Sequence, residues 1–421
     1  NVILGYNALD AATTVNNSVA MGANAMGAVP AGQAVEFAIA IGTDALLGGG
    51  STTDGPNGTV AIGASAGRTI TTGENNTFVG YNAAYNVTTG GSNTIVGRHA
   101  GNKIEKGSSN AFLGYSAGHY TTGSYNTFVG SEAGKGGTTS APYSSGQRNT
   151  AVGYGTLKAF TTGKQNVAIG TDAGDAITTG QDNVYVGQSA GTSDSTGNYN
   201  VTVGSQAGAG FVNASSNVVI GYYANGAAGQ NMSGSISIGS QAAAYNRGSG
   251  NTFVGDSAGM AYPAAGGYTV NGGGTLVGYN AGKNYSGSYS TFVGYKAGEG
   301  TWPTSGPMNA GVFNTGIGAY AGDSLTTGED NTFIGRSSGH VTTTGDYNVC
   351  LGSMAGDTIT TGNANTYLGY LADASGVAVN DEIVLKAGAD ALAGGGTETI
   401  RIGVDSDYIV NDFGENATWT H

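Results

Sequence analysis

The chain of 421 residues carries 79 Gly, close to three times the usual share of about 7%, yet only six Pro, and its Gly spacing is irregular, which excludes a collagen helix. With 39% hydrophobic residues, many of them Val, Ile and Phe in register, it is also unlike a disordered low-complexity chain, and its net charge of −13 with 14 scattered Lys and Arg leaves no basic stripe for nucleic acid. A single Cys excludes an intrachain disulfide, and no apolar run approaches the roughly 18 residues that a bilayer-spanning helix requires, so no membrane insertion is expected.

The chain opens at Asn1 already in phase with an internal repeat and without Met, which reads as a segment or processed product of something longer. Aligned on the residues before a recurrent Gly, coils start at 1, 18, 38, 59, 76, 93, 110, 126, 149, 166, 183, 200, 217, 235, 251, 274, 290, 314, 331, 348, 365, 382 and 399, which is 23 copies mostly 17 residues apart. Numbering places within a coil from these starts, place 4 is Val, Ile, Leu or Met throughout and place 5 is Gly in every copy except Lys386. Place 8 is Ala in 20 copies, with Thr156, Ser338 and Ser406 in the others.

Places 2 and 4 share one face of an extended strand, and their common apolarity predicts that they line the coil interior while place 3 points away. Gly at place 5 lets the chain leave the strand through a conformation a side chain would oppose, and a small place 8 fits a tight corner. A second apolar site recurs at place 12 (Ile70, Val87, Phe160, Ile177, Leu325, Ile359), and eight coils continue into Thr-Thr-Gly, which predicts a second short strand closed by a turn. Seventeen residues are too few for a helix pair or propeller blade but suit one coil of a parallel solenoid.

The expected fold is therefore all-β: a parallel β-solenoid, of β-roll or β-helix type, with about 23 short coils over residues 1–403 and a non-repeat segment at 404–421. At a strand spacing of about 4.8 Å the stack would extend on the order of 110 Å. Asn opens 15 coils, and stacked Asn amides can hydrogen-bond from coil to coil in an in-register ladder. Place 3 is Phe at 78, 112, 128, 253, 292 and 333 and Tyr at 185 and 367; if it faces outward, other subunits must cover it, and a homotrimeric fibre is the simplest arrangement. A monomeric solenoid wide enough to hold place 3 inside is the competing arrangement.

Three coils carry six or seven extra residues, with inserted loops near 135–148, 260–273 and 299–313. Inserts in solenoids map to surface loops and often carry binding. Tyr143, Tyr262, Tyr268 and Trp302 supply flat apolar faces with a polar edge, suited to stacking on sugar rings, and are the candidate contacts to a host-cell glycan or protein; otherwise they pin the loops to the shaft. Catalysis is not expected. Asp172, Asp175 and Asp182, the candidates for paired-carboxylate hydrolysis, fall in regular coils where Asp serves turns. His99, His119, His340 and His421 are dispersed, no Cys-x-x-Cys or phosphate-binding loop occurs, and neither metal nor cofactor is expected. Cys350 occupies place 3 and reads as an inert packing residue. Ice binding through Thr rows meets the objection that Thr-Thr-Gly is absent from most coils.

The units NSVAMGANAMG (17–27), GTVAIGASAG (58–67) and NVAIGTDAG (166–174) resemble the head repeats of trimeric autotransporter adhesins, and the longer form, NTFVGYNAA to TTGSYNTFVG, resembles repeats of phage tail fibres and related bacterial surface proteins. The coils here are longer than the adhesin unit. The terminal VDSDYIVNDFGENATWTH (404–421) is similar to the segment preceding the intramolecular chaperone of endosialidase-type tail spikes. These resemblances imply a trimeric fibre of a virion tail or other extracellular appendage, with itself, other virion or appendage proteins and a host surface glycan or protein as partners. The expected role is a phage tail fibre shaft providing reach and host attachment; the alternatives are a bacterial surface adhesin of the same architecture and a polysaccharide-degrading tail spike.

Overall fold

The computed structural model describes residues 1–11, 14–29, 34–48, 55–138, 140–227, 229, 231–261, 272–300, 310–388, 390–404 and 407–412. Among them the chain is all-β with no helix, a parallel β-solenoid of about 22 turns. It divides into two units, Asn1–Ser215 and Ser216–His421.

In the first unit, twelve of the fourteen described three-residue strands, from Val2–Leu4 to Val201–Val203, lie at places 2 to 4 of a coil, and the other two, Thr14–Asn16 and Ala34–Glu36, pair with each other in parallel. Neighbours pair in parallel without slippage: Phe112 lies opposite Phe128, Phe128 opposite Ala151, and Ala168 opposite Tyr185. The second unit repeats the pattern from Val218–Ile220 to Thr399–Val404, and there Asp407–Asp412 turns back antiparallel on Thr399–Val404. A returning strand occupies the edge that a further parallel coil would otherwise extend.

The Asn ladder forms as expected and is buried. In the first unit it runs through Asn76, Asn93, Asn110, Asn126, Asn149, Asn166, Asn183 and Asn200. Asn93 donates its backbone N–H (2.9 Å) and its Nδ2 (3.1 Å) to Asn76 Oδ1, and its Nδ2 also donates to the Gly107 carbonyl at 2.9 Å. Asn314, Asn331, Asn348 and Asn365 repeat this in the second unit. Each amide thus satisfies backbone groups that the narrow interior would otherwise leave unpaired.

The prediction for the two strand faces is reversed. Place 3 is the interior face: Phe78, Phe112, Phe128, Tyr185, Phe253, Phe292, Phe333, Cys350 and Tyr367 are all buried, whereas places 2 and 4 are half-buried or exposed. The physical reason lies in parity. Places 1 and 3 point the same way, and the Asn amide at place 1 is buried. Gly at place 5 follows the strand and stacks against the Gly of the next coil. Built on Gly153, a Cβ would stand 2.7 Å from the Gly170 carbonyl oxygen, and its φ of +134° already disfavours a side chain.

The interior is completed by Ala at place 8, by the aliphatics at place 12, and by an unforeseen partner at place 9. Gly134 at that place has its missing Cβ 2.3 Å from the Phe128 ring, and Gly339 stands likewise to Phe333. At three coils where place 3 is only Ala (Ala20, Ala40 and Ala151), place 9 carries Met26, Leu46 and Leu157, all buried. Ala61 and Ala168 keep Gly67 and Gly174 at place 9, and there Leu46 and Leu157 of the preceding coil fill the space, so volume is shared between neighbouring coils as close packing demands. Phe112 and Phe128 stack at 4.9 Å between ring centroids, and Phe160 meets Phe128 edge-on at 5.6 Å. Tyr185 finds a polar partner inside, donating its hydroxyl to Asp194 at 2.9 Å, and burial raises the Asp194 carboxyl above the usual range.

Candidate functional site

Turning place 3 inward leaves an aliphatic row outside in each unit. At place 4 every coil presents Val, Ile, Leu or Met, among them Leu113 at 51% exposure, Ile169 at 40% and Leu368 at 42%. Among the described residues fifteen Tyr and Phe are strongly exposed, and fourteen of them flank this row: eight at place 6, including Tyr81, Tyr115 and Tyr154, and six at the last place of a coil, including Tyr125, Tyr199 and Tyr347. They stack coil on coil, Tyr279 on Tyr295 at 5.4 Å and Tyr289 on Phe313 at 5.4 Å. In the first unit alone the strands cover roughly 10 Å by 50 Å, about 500 Å² of mainly apolar surface, at the upper end of what monomers expose. Alternation alone assigns place 4 to the core and so hides this face.

The first insert builds a different kind of site. Its return segment is pinned to the coils on either side: Ser144 N–H donates to the Tyr120 carbonyl (2.9 Å) and Thr122 N–H to the Ser144 carbonyl (2.8 Å) in the coil before, and Ser144 Oγ donates to the Phe160 carbonyl (2.8 Å) in the coil after. So anchored, residues 141–143 overhang the turn at Glu105 and Lys106 of an earlier coil. The cleft between them has a volume of about 390 Å³ and is lined by Glu105, Lys106, Thr122, Ala141, Pro142, Tyr143 and Ser145.

Tyr143 continues a row of rings. His119 lies 4.3 Å from Tyr120, Tyr120 stacks near Tyr143 at 6.2 Å, and Lys103 Nζ stands 5.8 Å from the Tyr143 centroid. His119 donates its Nδ1–H to the His99 carbonyl oxygen at 3.1 Å, and its pKa is lowered to about 4, first by burial, then by the charge of His99 and, more weakly, of Lys135 and Lys103. Beside the insert, Glu132 binds Lys135 at 2.7 Å and Lys158 at 2.8 Å, and these hydrogen bonds hold its carboxyl below the usual value.

Of the four aromatic candidates, Tyr143 lines this cleft, while Tyr262, Tyr268 and Trp302 lie outside the described residues, as does His421. Asp172 and Asp182 occupy turn positions with φ of 52° and 58°, and the Asp175 carboxyl is raised by burial and by Asp172. His340 pairs with Asp323 at 2.5 Å. Among the described residues no cluster of three or more His, Cys, Asp and Glu is arranged to hold a metal. Cys350 is fully buried and its thiol pKa is pushed far up by desolvation. The Thr hydroxyls of the Thr-Thr-Gly turns are engaged within the stack, Thr161 and Thr178 donating at 3.0 and 2.9 Å to carbonyls of the following coil.

No protein-family model matches the chain, and neither a curated protein nor a solved structure is significantly similar to it.

Proposed function

We propose that the chain is a structural shaft of an extracellular fibre, in a phage tail or a comparable appendage, that assembles as a homotrimer and serves reach and host attachment without turnover. The observation that carries this reading is the outward aliphatic row at place 4 with its aromatic flanks. Its residues repeat at one strand spacing, so the partner that meets every one of them must share that period, and a second copy of the chain does so by construction. The roughly 500 Å² of strand surface in one unit, extended by the flanking rings, approaches the ~800 Å² per partner of a stable interface. The Phe row is already buried by its own and the neighbouring coils, which leaves the place-4 face for assembly.

Sedimentation tests the reading directly. The parent chain is expected to sediment as a trimer at micromolar concentration, and Ile169→Glu with Val186→Glu to yield a folded monomer with an unchanged far-ultraviolet spectrum. A parent chain that is a folded monomer under these conditions overturns the assembly. Electron microscopy of labelled particles, with the chain found away from any tail or surface filament, would overturn the assignment to an appendage.

A further inference from the structure

We propose that the cleft beside Tyr143 is a carbohydrate subsite that takes an acidic pyranose, a sugar ring bearing a carboxylate, from a surface polysaccharide. The proposal rests on the attachment reading and names what one part of the chain attaches to.

Four features of the cleft point to this chemistry. Its volume of about 390 Å³ lies within the range of small-ligand sites and admits a sugar ring with part of its neighbour. Tyr143 and Pro142 give it an apolar wall, the surface on which the C–H face of a pyranose packs. Glu105 and Thr122 bring acceptors for ring hydroxyls. Lys106 brings a cation that forms no salt bridge among the described residues, in a chain with only 14 Lys and Arg against 27 Asp and Glu. Lys103 is held over the Tyr143 ring and adds to the local positive potential.

The wall is also built, because the segment behind it is fixed. Ser144 is buried and bonded on both sides, and Tyr120 supports Tyr143 from the preceding coil. A ring held in this way loses little freedom when a ligand arrives. The coil residues of the cleft come from places 13 and 14, outside the strand at places 2 to 4. A neutral sugar would use the wall and Glu105 but leave Lys106 unmatched, whereas a hexuronate offers hydroxyls and one carboxylate and matches both.

The test titrates the full chain with an oligogalacturonate and, separately, with a neutral cello-oligosaccharide of equal length, read by calorimetry and by saturation transfer from protein to sugar protons. The oligogalacturonate is expected to bind more tightly and to weaken as salt is raised. Tyr143→Ala should weaken it about ten-fold, equivalent to about 1.4 kcal/mol, and Lys106→Gln should remove the preference for the acidic sugar. Binding of neither sugar, equal binding of both, or acidic-sugar binding unmoved by Tyr143→Ala and Lys106→Gln overturns the proposal. Sedimentation of the same samples separates this outcome from the fate of the assembly: loss of sugar binding with the trimer intact sinks the subsite alone, and a monomeric parent that still binds sugar sinks the assembly alone.

Discussion

Replacing Asn166 by Ala isolates what the buried amide ladder contributes. Asn166 Nδ2 donates to Asn149 Oδ1 at 3.1 Å and to the Gly180 carbonyl at 2.9 Å, and its Oδ1 accepts the Asn183 backbone N–H at 3.1 Å and Asn183 Nδ2 at 3.0 Å. After truncation, Asn149 Oδ1 keeps the Asn166 backbone N–H, and Asn183 Nδ2 keeps the Gly197 carbonyl. The Gly180 carbonyl and the Asn183 N–H lose these partners inside the stack. At about 1 to 3 kcal/mol for each unsatisfied buried group the loss is about 2 to 6 kcal/mol, toward the lower end where a water enters the space.

Because each coil touches only its neighbours, that cost is expected to be local. Hydrogen exchange should accelerate at Asn183 and the adjoining strands while protection persists several coils away, and the denaturant midpoint should fall. The isosteric Asn166→Asp supplies the control for charge. Burial raises such a carboxyl, so the folded state holds its proton more tightly than the unfolded one, and stability declines as pH climbs from the ordinary Asp value of about 3.9 toward the folded pKa. It should therefore be more destabilised at pH 7 than at pH 4. An Asn166→Ala chain within about 0.5 kcal/mol of the parent, the range of neutral surface changes, with unchanged exchange at Asn183, would refute the ladder argument.

Phe128→Ala should destabilise by about 3 to 5 kcal/mol as a core truncation, whereas Val129→Ala on the outward face should cost about 1 kcal/mol or less; equilibrium denaturation of both would expose a wrong inside-outside assignment by reversing the order. His119, with its pKa lowered to about 4, should titrate near that value by NMR, and stability should drop as pH falls from 6.5 toward 4, since the unfolded chain takes up the proton first. His119→Gln should flatten that slope. Cys350, buried and held as a thiol, should resist thiol reagents at neutral pH until its coil opens, so labelling that is immediate in the native protein contradicts its placement.

Much of the fold is legible in the residues. The recurrent Gly at place 5, Ala at place 8 and Asn at place 1 each satisfy a local requirement that repeats with every coil: a backbone too close for a Cβ, a corner too narrow for a larger side chain, and carbonyls that need a donor. Exchange of bulk between places 3 and 9 is also written in some coils, Phe128 with Gly134 against Ala151 with Leu157, and there marks both places as sharing one cavity. That compensation, together with Asn at place 1 on the same strand face as place 3, is the signal for the true interior. The candidate site was less legible: Tyr143 was marked by composition, but Lys106 and Glu105 belong to a coil that nothing in the linear order connects to the insert.

The sequence by itself determined the period, the parallel register and the stacking of like on like, because alternation and small-residue constraints act within a single coil and its neighbour. Only the tertiary structure decided which strand face is buried and what the first insert overhangs. Alternation says which side chains travel together but not which way they point when both strand faces carry β-branched or aromatic residues, and that choice falls to packing volume and to the buried amides, which are properties of the closed coil.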